Sequence, residues 1–128
     1  MAETTIKKRP KNLDLTTIRL PLPGKVSILH RVSGVGLFLF FPVLLWLFGA
    51  SLGSPESFAT FKALFSTLPA KVVLAGLLWA FMHHFCAGIR FLLLDMHMGV
   101  DLESARKSSK IVLGVSIALT VIIGVKLW

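Results

Sequence analysis

Met82-His83-His84-Phe85-Cys86-Ala87-Gly88-Ile89-Arg90, continuing through Phe91 to Asp95, decides how this chain is read. The stretch closes a long apolar segment and yet carries two adjacent histidines. Ionisable groups at lipid depth are costly, so they mark a functional site by default and call for a named partner. Everything else in the chain is scaffold, orientation or partner for those two imidazoles.

The totals point to a bilayer. Of 128 residues, 55% are hydrophobic and 16% charged, and the mean hydropathy is +0.79. A chain this apolar could not cover a water-facing surface. Charge-poor runs of about 18 or more residues are long enough to cross a hydrocarbon core of about 30 Å. The net charge of +8 does not imply nucleic acid, because no basic stripe is interleaved with exposed aromatics. Cys86 is the only cysteine, which excludes an internal disulfide and a multi-thiolate metal site. It reads as a small buried hydrophobe.

The expected fold class is all-α and integral to the membrane, with three transmembrane helices in one anchor domain, 1–128. Residues 1–26 form a basic cytoplasmic segment in which Pro10, Pro21 and Pro23 oppose a continuous helix. No apolar stretch with a small-residue cleavage site follows the early positives, so a signal peptide is not expected. The first span covers 27–52, with Pro42 predicted to kink it or loosen a turn and Trp46 placed as an interfacial anchor. Residues 53–69 are a connector with a short interfacial helix, opened by Ser54 as N-cap, Pro55 and Glu56 and carrying Phe58, Phe61 and Phe65 at helical spacing. The second span covers 70–95, a cytoplasmic loop 96–110, and the third span 111–127. Eleven cations fall on the side of the N-terminus and of the 90–110 region, against Lys62, Lys71 and Lys126 opposite. This predicts an N-terminus inside and a C-terminus on the other side.

Two polar constellations lie toward the cytoplasmic half. At the entry to the first span, Ser27, His30, Arg31 and Gly34 share a helical face. They offer a hydroxyl, an imidazole, a guanidinium and then a gap. This is either a capped, positively anchored helix start or a polar pocket for a carbonyl or anionic group of a cofactor. In the second span, Gly76, Ala80, His84 and Gly88 form one i, i+4 row, so His84 faces a notch of small residues. His83 lies about 100° away with Trp79, Ala87 and Arg90. His84 is either a histidine hydrogen-bonded between helices or an axial haem ligand through neutral imidazole. Arg90 reads as a solvated interface marker. Asp95, three turns beyond His84, lies on its face and can meet a partner chain or line a proton route.

Three blocks carry a family resemblance: Arg9-Pro10-Lys11-Asn12-Leu13-Asp14-Leu15, Ser27-Ile28-Leu29-His30-Arg31-Val32-Ser33-Gly34, and His84 with Gly88-Ile89-Arg90 and Asp95. With them the chain resembles, over nearly its whole length, the cytochrome b membrane-anchor subunit of bacterial succinate dehydrogenase (succinate:quinone oxidoreductase, respiratory complex II). The resemblance implies a haem b ligated by His84, its second axial histidine coming from a partner anchor subunit. It also implies ubiquinone binding by Ser27 and Arg31, and haem propionates close to His30 and Arg31. Iron–sulfur and flavoprotein subunits would complete the complex in the bacterial inner (cytoplasmic) membrane. Relatives often carry histidine where this chain has Phe91, which leaves the expected ligand untouched but removes a polar contact there.

The chain alone is not a complete catalyst. It has no dinucleotide or flavin motif, and one cysteine cannot hold an iron–sulfur cluster. Its expected role is to pass electrons from succinate oxidation, received through the iron–sulfur subunit, to ubiquinone. The alternative is a non-redox helical scaffold or assembly subunit, whose histidines only hydrogen-bond between helices. A transporter has little support, since three spans show no inverted repeat or paired broken helices.

Overall fold

The computed structural model describes Pro10, Lys11, Asp14 and residues 16–128. The Arg9, Asn12, Leu13 and Leu15 positions of the first resemblance block, and the cations Lys7 and Lys8, lie outside the described residues. Among the described residues four helices follow one another: α1 (Leu22–Ser51), α2 (Pro55–Ser66), α3 (Leu68–Asp95) and α4 (Leu102–Leu127). No strand occurs among the described residues. Helices α1, α3 and α4 have 30, 28 and 26 residues and are apolar enough to cross a membrane. At about 1.5 Å per residue each exceeds the ~30 Å hydrocarbon core.

Helix α1 starts before Ser27, at Leu22, with Pro21 as N-cap and a proline in the first turn. Pro23 therefore does not oppose the helix. In the first turn the missing N–H has no intrahelical acceptor to lose, and the fixed φ suits the helix. Pro42 lies inside α1, which is one helix from end to end. Helix α2 is closed at its start by a reciprocal pair of serines. The Ser57 N–H donates to Ser54 Oγ at 3.1 Å, and the Ser54 N–H donates to Ser57 Oγ at 2.9 Å. A hydroxyl here takes the place of the usual Glu or Gln of a capping box. Only Thr67 separates α2 from α3.

The region 96–110, expected as a loop, is helical from Leu102 onward. Asp101 explains the early start: its side chain accepts the Ser104 N–H at 2.9 Å, so a polar, charged stretch is capped into the first turns of α4. Between α3 and α4 the chain turns through His97 at φ 60° and Gly99 at φ 69°. The His97 N–H donates to the Leu94 carbonyl and the Met98 N–H to the Leu93 carbonyl, the bond pattern of a left-handed helix stop.

The interior is narrow and rich in small or polar side chains. Val26, His83, Ala87, Ser109 and Ser116 are fully buried, while most of the Phe, Leu, Ile and Val side chains of the long helices face outward. That inversion suits a bilayer, where apolar side chains lose nothing by facing lipid and small residues let helices approach. The serines satisfy their hydroxyls on their own helices: Ser109 on the Ala105 carbonyl at 2.7 Å and Ser116 on the Leu113 carbonyl at 3.0 Å.

Candidate functional site

The end of α3 lies against the start of α1, which brings the two polar constellations together. The rings of His30 and His84 stack with centroids 4.1 Å apart and 9° between planes. His84 Nδ1 lies 3.0 Å from the His30 carbonyl oxygen and 3.2 Å from Ser33 Oγ. A carbonyl only accepts, so Nδ1 carries the proton of the neutral ring and Nε2 keeps its lone pair. An acceptor on one ring nitrogen that leaves the other as a base is the usual arrangement of a metal-binding histidine.

The gap that receives His84 lies on α1 rather than on its own helix. A Cβ built on Gly34 would stand 2.9 Å from His84 Cε1, whereas one built on Gly76 would meet nothing within 4 Å. Gly88 faces the other imidazole, with His30 Nε2 at 3.7 Å from a Cβ there. Of the small-residue row of α3, Gly88 thus serves His30, and the ring of His84 occupies the space left by Gly34. His84 also lines a cavity of about 770 Å³ walled by Leu37, Phe41, Phe61, Phe65, Leu78 and Phe81, among others. The cavity is of ligand size, apolar, and has an imidazole in its wall. Among the described residues no three His, Cys, Asp or Glu side chains are grouped to hold a metal ion. A metal on His84 would need a cofactor that brings most of its own ligands, and the donor set fits haem.

Ser27 and Arg31 lie one step around α1 from this contact. The buried positions of α1 near its start are Val26 and Ser33, which leaves Ser27 half-buried and Arg31 exposed. Phe91 packs on His30, with centroids 5.0 Å apart. Phe91 therefore provides an aromatic wall to that ring.

His83 is turned into the helix interface. It is fully buried and stacks on Trp79 at 5.4 Å. Neither ring nitrogen has a hydrogen-bond partner. The Val26 backbone interacts with the ring but falls outside hydrogen-bond geometry. Arg90, expected as a solvated marker, is only 6% exposed. Its Nε donates to Ser108 Oγ at 2.9 Å and its Nη2 to the Ala105 carbonyl at 3.4 Å. The guanidinium also lies 5.5 Å from the Phe91 ring centroid. The first turns of α4, which read as loop in the sequence, provide these partners. Asp95 is exposed. Cys86 is a half-buried free thiol packed against Val26, Ala87 and Val112.

Ser33 and Gly34 are the residues whose roles sequence reasoning missed or only half saw. The signal for Ser33 was its spacing of seven from Val26, which puts both on the packed side of α1.

Comparison with known proteins matches residues 5–123 to the succinate dehydrogenase/fumarate reductase transmembrane subunit family. The succinate dehydrogenase cytochrome b556 subunit of Paracoccus denitrificans is 32% identical, with 95% of this chain and 94% of that protein covered. The cytochrome b556 subunit of Coxiella burnetii is 36% identical over 94% of this chain and 98% of its own length. That of Rickettsia prowazekii is 30% identical over 92% of each. With three membrane-crossing helices and a match over nearly its full length, the chain belongs to the succinate dehydrogenase/fumarate reductase transmembrane subunit family, as a multi-pass membrane-anchor cytochrome b subunit distinct from the catalytic head.

Proposed function

We propose that this chain holds a haem b through His84, shares it with a second anchor subunit that provides the other axial ligand, and helps bind ubiquinone with Ser27 and Arg31. The observation that carries the reading is the treatment of one ring. His84 Nδ1 is tied to the His30 carbonyl at 3.0 Å, its ring fills the space over Gly34, and it stands in the wall of an apolar cavity of about 770 Å³. When bound, haem supplies one-electron oxidation and reduction at a potential set by its ligands and surroundings.

The chain's own residues have separable tasks. Phe41, Phe61, Phe65 and Phe81 wall the cavity and exclude water from it. His30, stacked on His84, and Arg31 are the residues that would hold anionic propionates. The Ser27 hydroxyl and Arg31 guanidinium make no hydrogen bond within the chain among the described residues, so both donors remain for a quinone carbonyl. The attraction of the Arg31 guanidinium to a reduced, more anionic quinone oxygen favours electron arrival. The excess of cations at the N-terminus and in the 90–110 region supports a cytoplasmic position for both. There the iron–sulfur subunit delivers electrons from succinate.

The test uses the purified complex. His84→Ala should lose or alter the reduced b-type spectrum, while Ser27→Ala and Arg31→Ala should depress ubiquinone reduction and leave succinate oxidation by an artificial acceptor intact. A His84→Ala complex with full haem and an unchanged spectrum would return the chain to a non-redox scaffold.

A further inference from the structure

We propose that Ser33 is a positioning residue that sets the electron-donor strength of His84 from the side remote from the cavity. The proposal rests on the haem reading above. Four serines are buried among the described residues: Ser33, Ser51, Ser109 and Ser116. Each bonds a carbonyl on its own helix, Ser33 to His30 at 2.9 Å and Ser51 to Phe48 at 2.6 Å, with Ser109 and Ser116 doing the same. This back-bonding is ordinary for serine in apolar helices. Ser33 alone of the four also reaches across to another helix, where Oγ meets His84 Nδ1 at 3.2 Å.

The direction of that contact follows from proton count. The hydroxyl has one proton and spends it on the His30 carbonyl, so toward His84 the oxygen can only accept. The His30 carbonyl is also an acceptor for Nδ1, at 3.0 Å. Two acceptors therefore converge on one Nδ1–H, from consecutive turns of α1, inside a part-buried contact. Each draws the proton away from the ring and raises the basicity of Nε2. A more basic imidazole favours ferric over ferrous iron, which lowers the potential. Backbone geometry holds the carbonyl in place whatever the side chains are. The hydroxyl is the part that sequence can adjust.

The test compares Ser33→Thr, Ser33→Val and Ser33→Ala in the intact complex. The first keeps the hydroxyl, the second has nearly the shape of threonine without it, and the third removes bulk as well. Haem content and redox potential are read by spectroscopic titration. Threonine should reproduce the native potential. Valine and alanine should raise it through a two- to tenfold change in the ferric-to-ferrous binding ratio, roughly 20–60 mV at 59 mV per decade for one electron. An unchanged or lowered potential in Ser33→Val overturns the proposal, as does a threonine variant shifted as far as the valine one. Failure of the haem reading itself has a different signature, an unaltered haem spectrum in His84→Ala.

Discussion

Gly34→Ala is a change of one methyl group, and the structure makes it a severe one. The added Cβ would stand 2.9 Å from His84 Cε1 and 3.4 Å from Nδ1. Carbon pairs sit best at about 3.5–4.0 Å, so the ring must move by about 0.6–1 Å. It has little freedom to do so, because it is stacked on His30 at 4.1 Å and tied at Nδ1 to the His30 carbonyl. Overpacking of this kind costs about 1–3 kcal/mol, and a strained or broken Nδ1 hydrogen bond adds about 1 kcal/mol. Disturbing the shell around a metal ligand typically lowers affinity by about 10–100-fold. The expected result is an intact polypeptide with sub-stoichiometric haem and a lowered unfolding temperature in detergent. Gly36→Ala is the control two residues on, where an added Cβ meets nothing within 4 Å. It should be silent or slightly stabilising, since alanine exceeds glycine in helix propensity by about 1 kcal/mol. Native haem content and native stability in Gly34→Ala would falsify the packing argument.

His83→Phe should retain haem and match or exceed native thermal stability, because it removes two buried nitrogens that lack hydrogen-bond partners, each worth about 1–3 kcal/mol when unsatisfied. Loss of haem in that variant would mean that His83 has a role the packing does not reveal. At the α3–α4 turn, His97→Gly should leave stability within about 1 kcal/mol of native and His97→Val should cost about 1–2 kcal/mol, because φ is 60° and a β-branched residue is strained there. Equal melting temperatures for the two would count against a left-handed stop. The Ser104 backbone N–H, then its side chain, hold the Asp101 carboxyl below its ordinary value. A depressed pKa contributes stability that is full above the unfolded value and lost as pH falls through the folded one. Acid melts below about pH 4 should therefore be less steep for Asp101→Asn, which keeps a cap without the charge, and an identical acid limb would refute the role.

How much was legible in the sequence depended on whether a signal was carried by one helix or by two. The three apolar helices show in hydropathy alone, since each has a charge-poor run long enough to span. The connector helix shows in Ser54-Pro55-Glu56, a start signal written in consecutive residues. His84 stood apart from His83 because helical spacing alone turns neighbours to different sides. Gly34 was visible as a gap, but the row Gly76, Ala80 and Gly88 looked equally suited to receive a ring. Only the pairing of α1 with α3 decides between them. Arg90 was misread for a related reason. Its partners, Ser108 and Ala105, lie in a polar stretch whose helix begins because Asp101 caps it, and composition there resembles a loop. The early start of α1 was hidden by Pro23, because proline opposes a helix interior but suits the first turn.

The adjacent histidines show why burial alone is a poor guide to a ligand. His83 is the more deeply buried of the two, and by that measure the more suspect. A ligand needs something else: one nitrogen committed to an acceptor, which fixes the tautomer and ring plane, and the other left with an outlet. His84 has both, with two oxygens of α1 at Nδ1 and a cavity beside the ring. His83 has neither, since Trp79 stacks on its face and both its nitrogens are buried without a hydrogen-bond partner. Two residues that the sequence presents as a pair are thus separated by about 100° of helix into a potential metal donor and an interface filler. The two turns of α1 that offer Ser27 and Arg31 also present the His30 carbonyl and Ser33 to α3. On the proposed reading, the quinone donors and the acceptors behind the haem ligand would be fixed by one stretch of backbone. A shift of α1 along its axis would then disturb both proposed sites together and tie electron arrival and quinone binding to a single structural element.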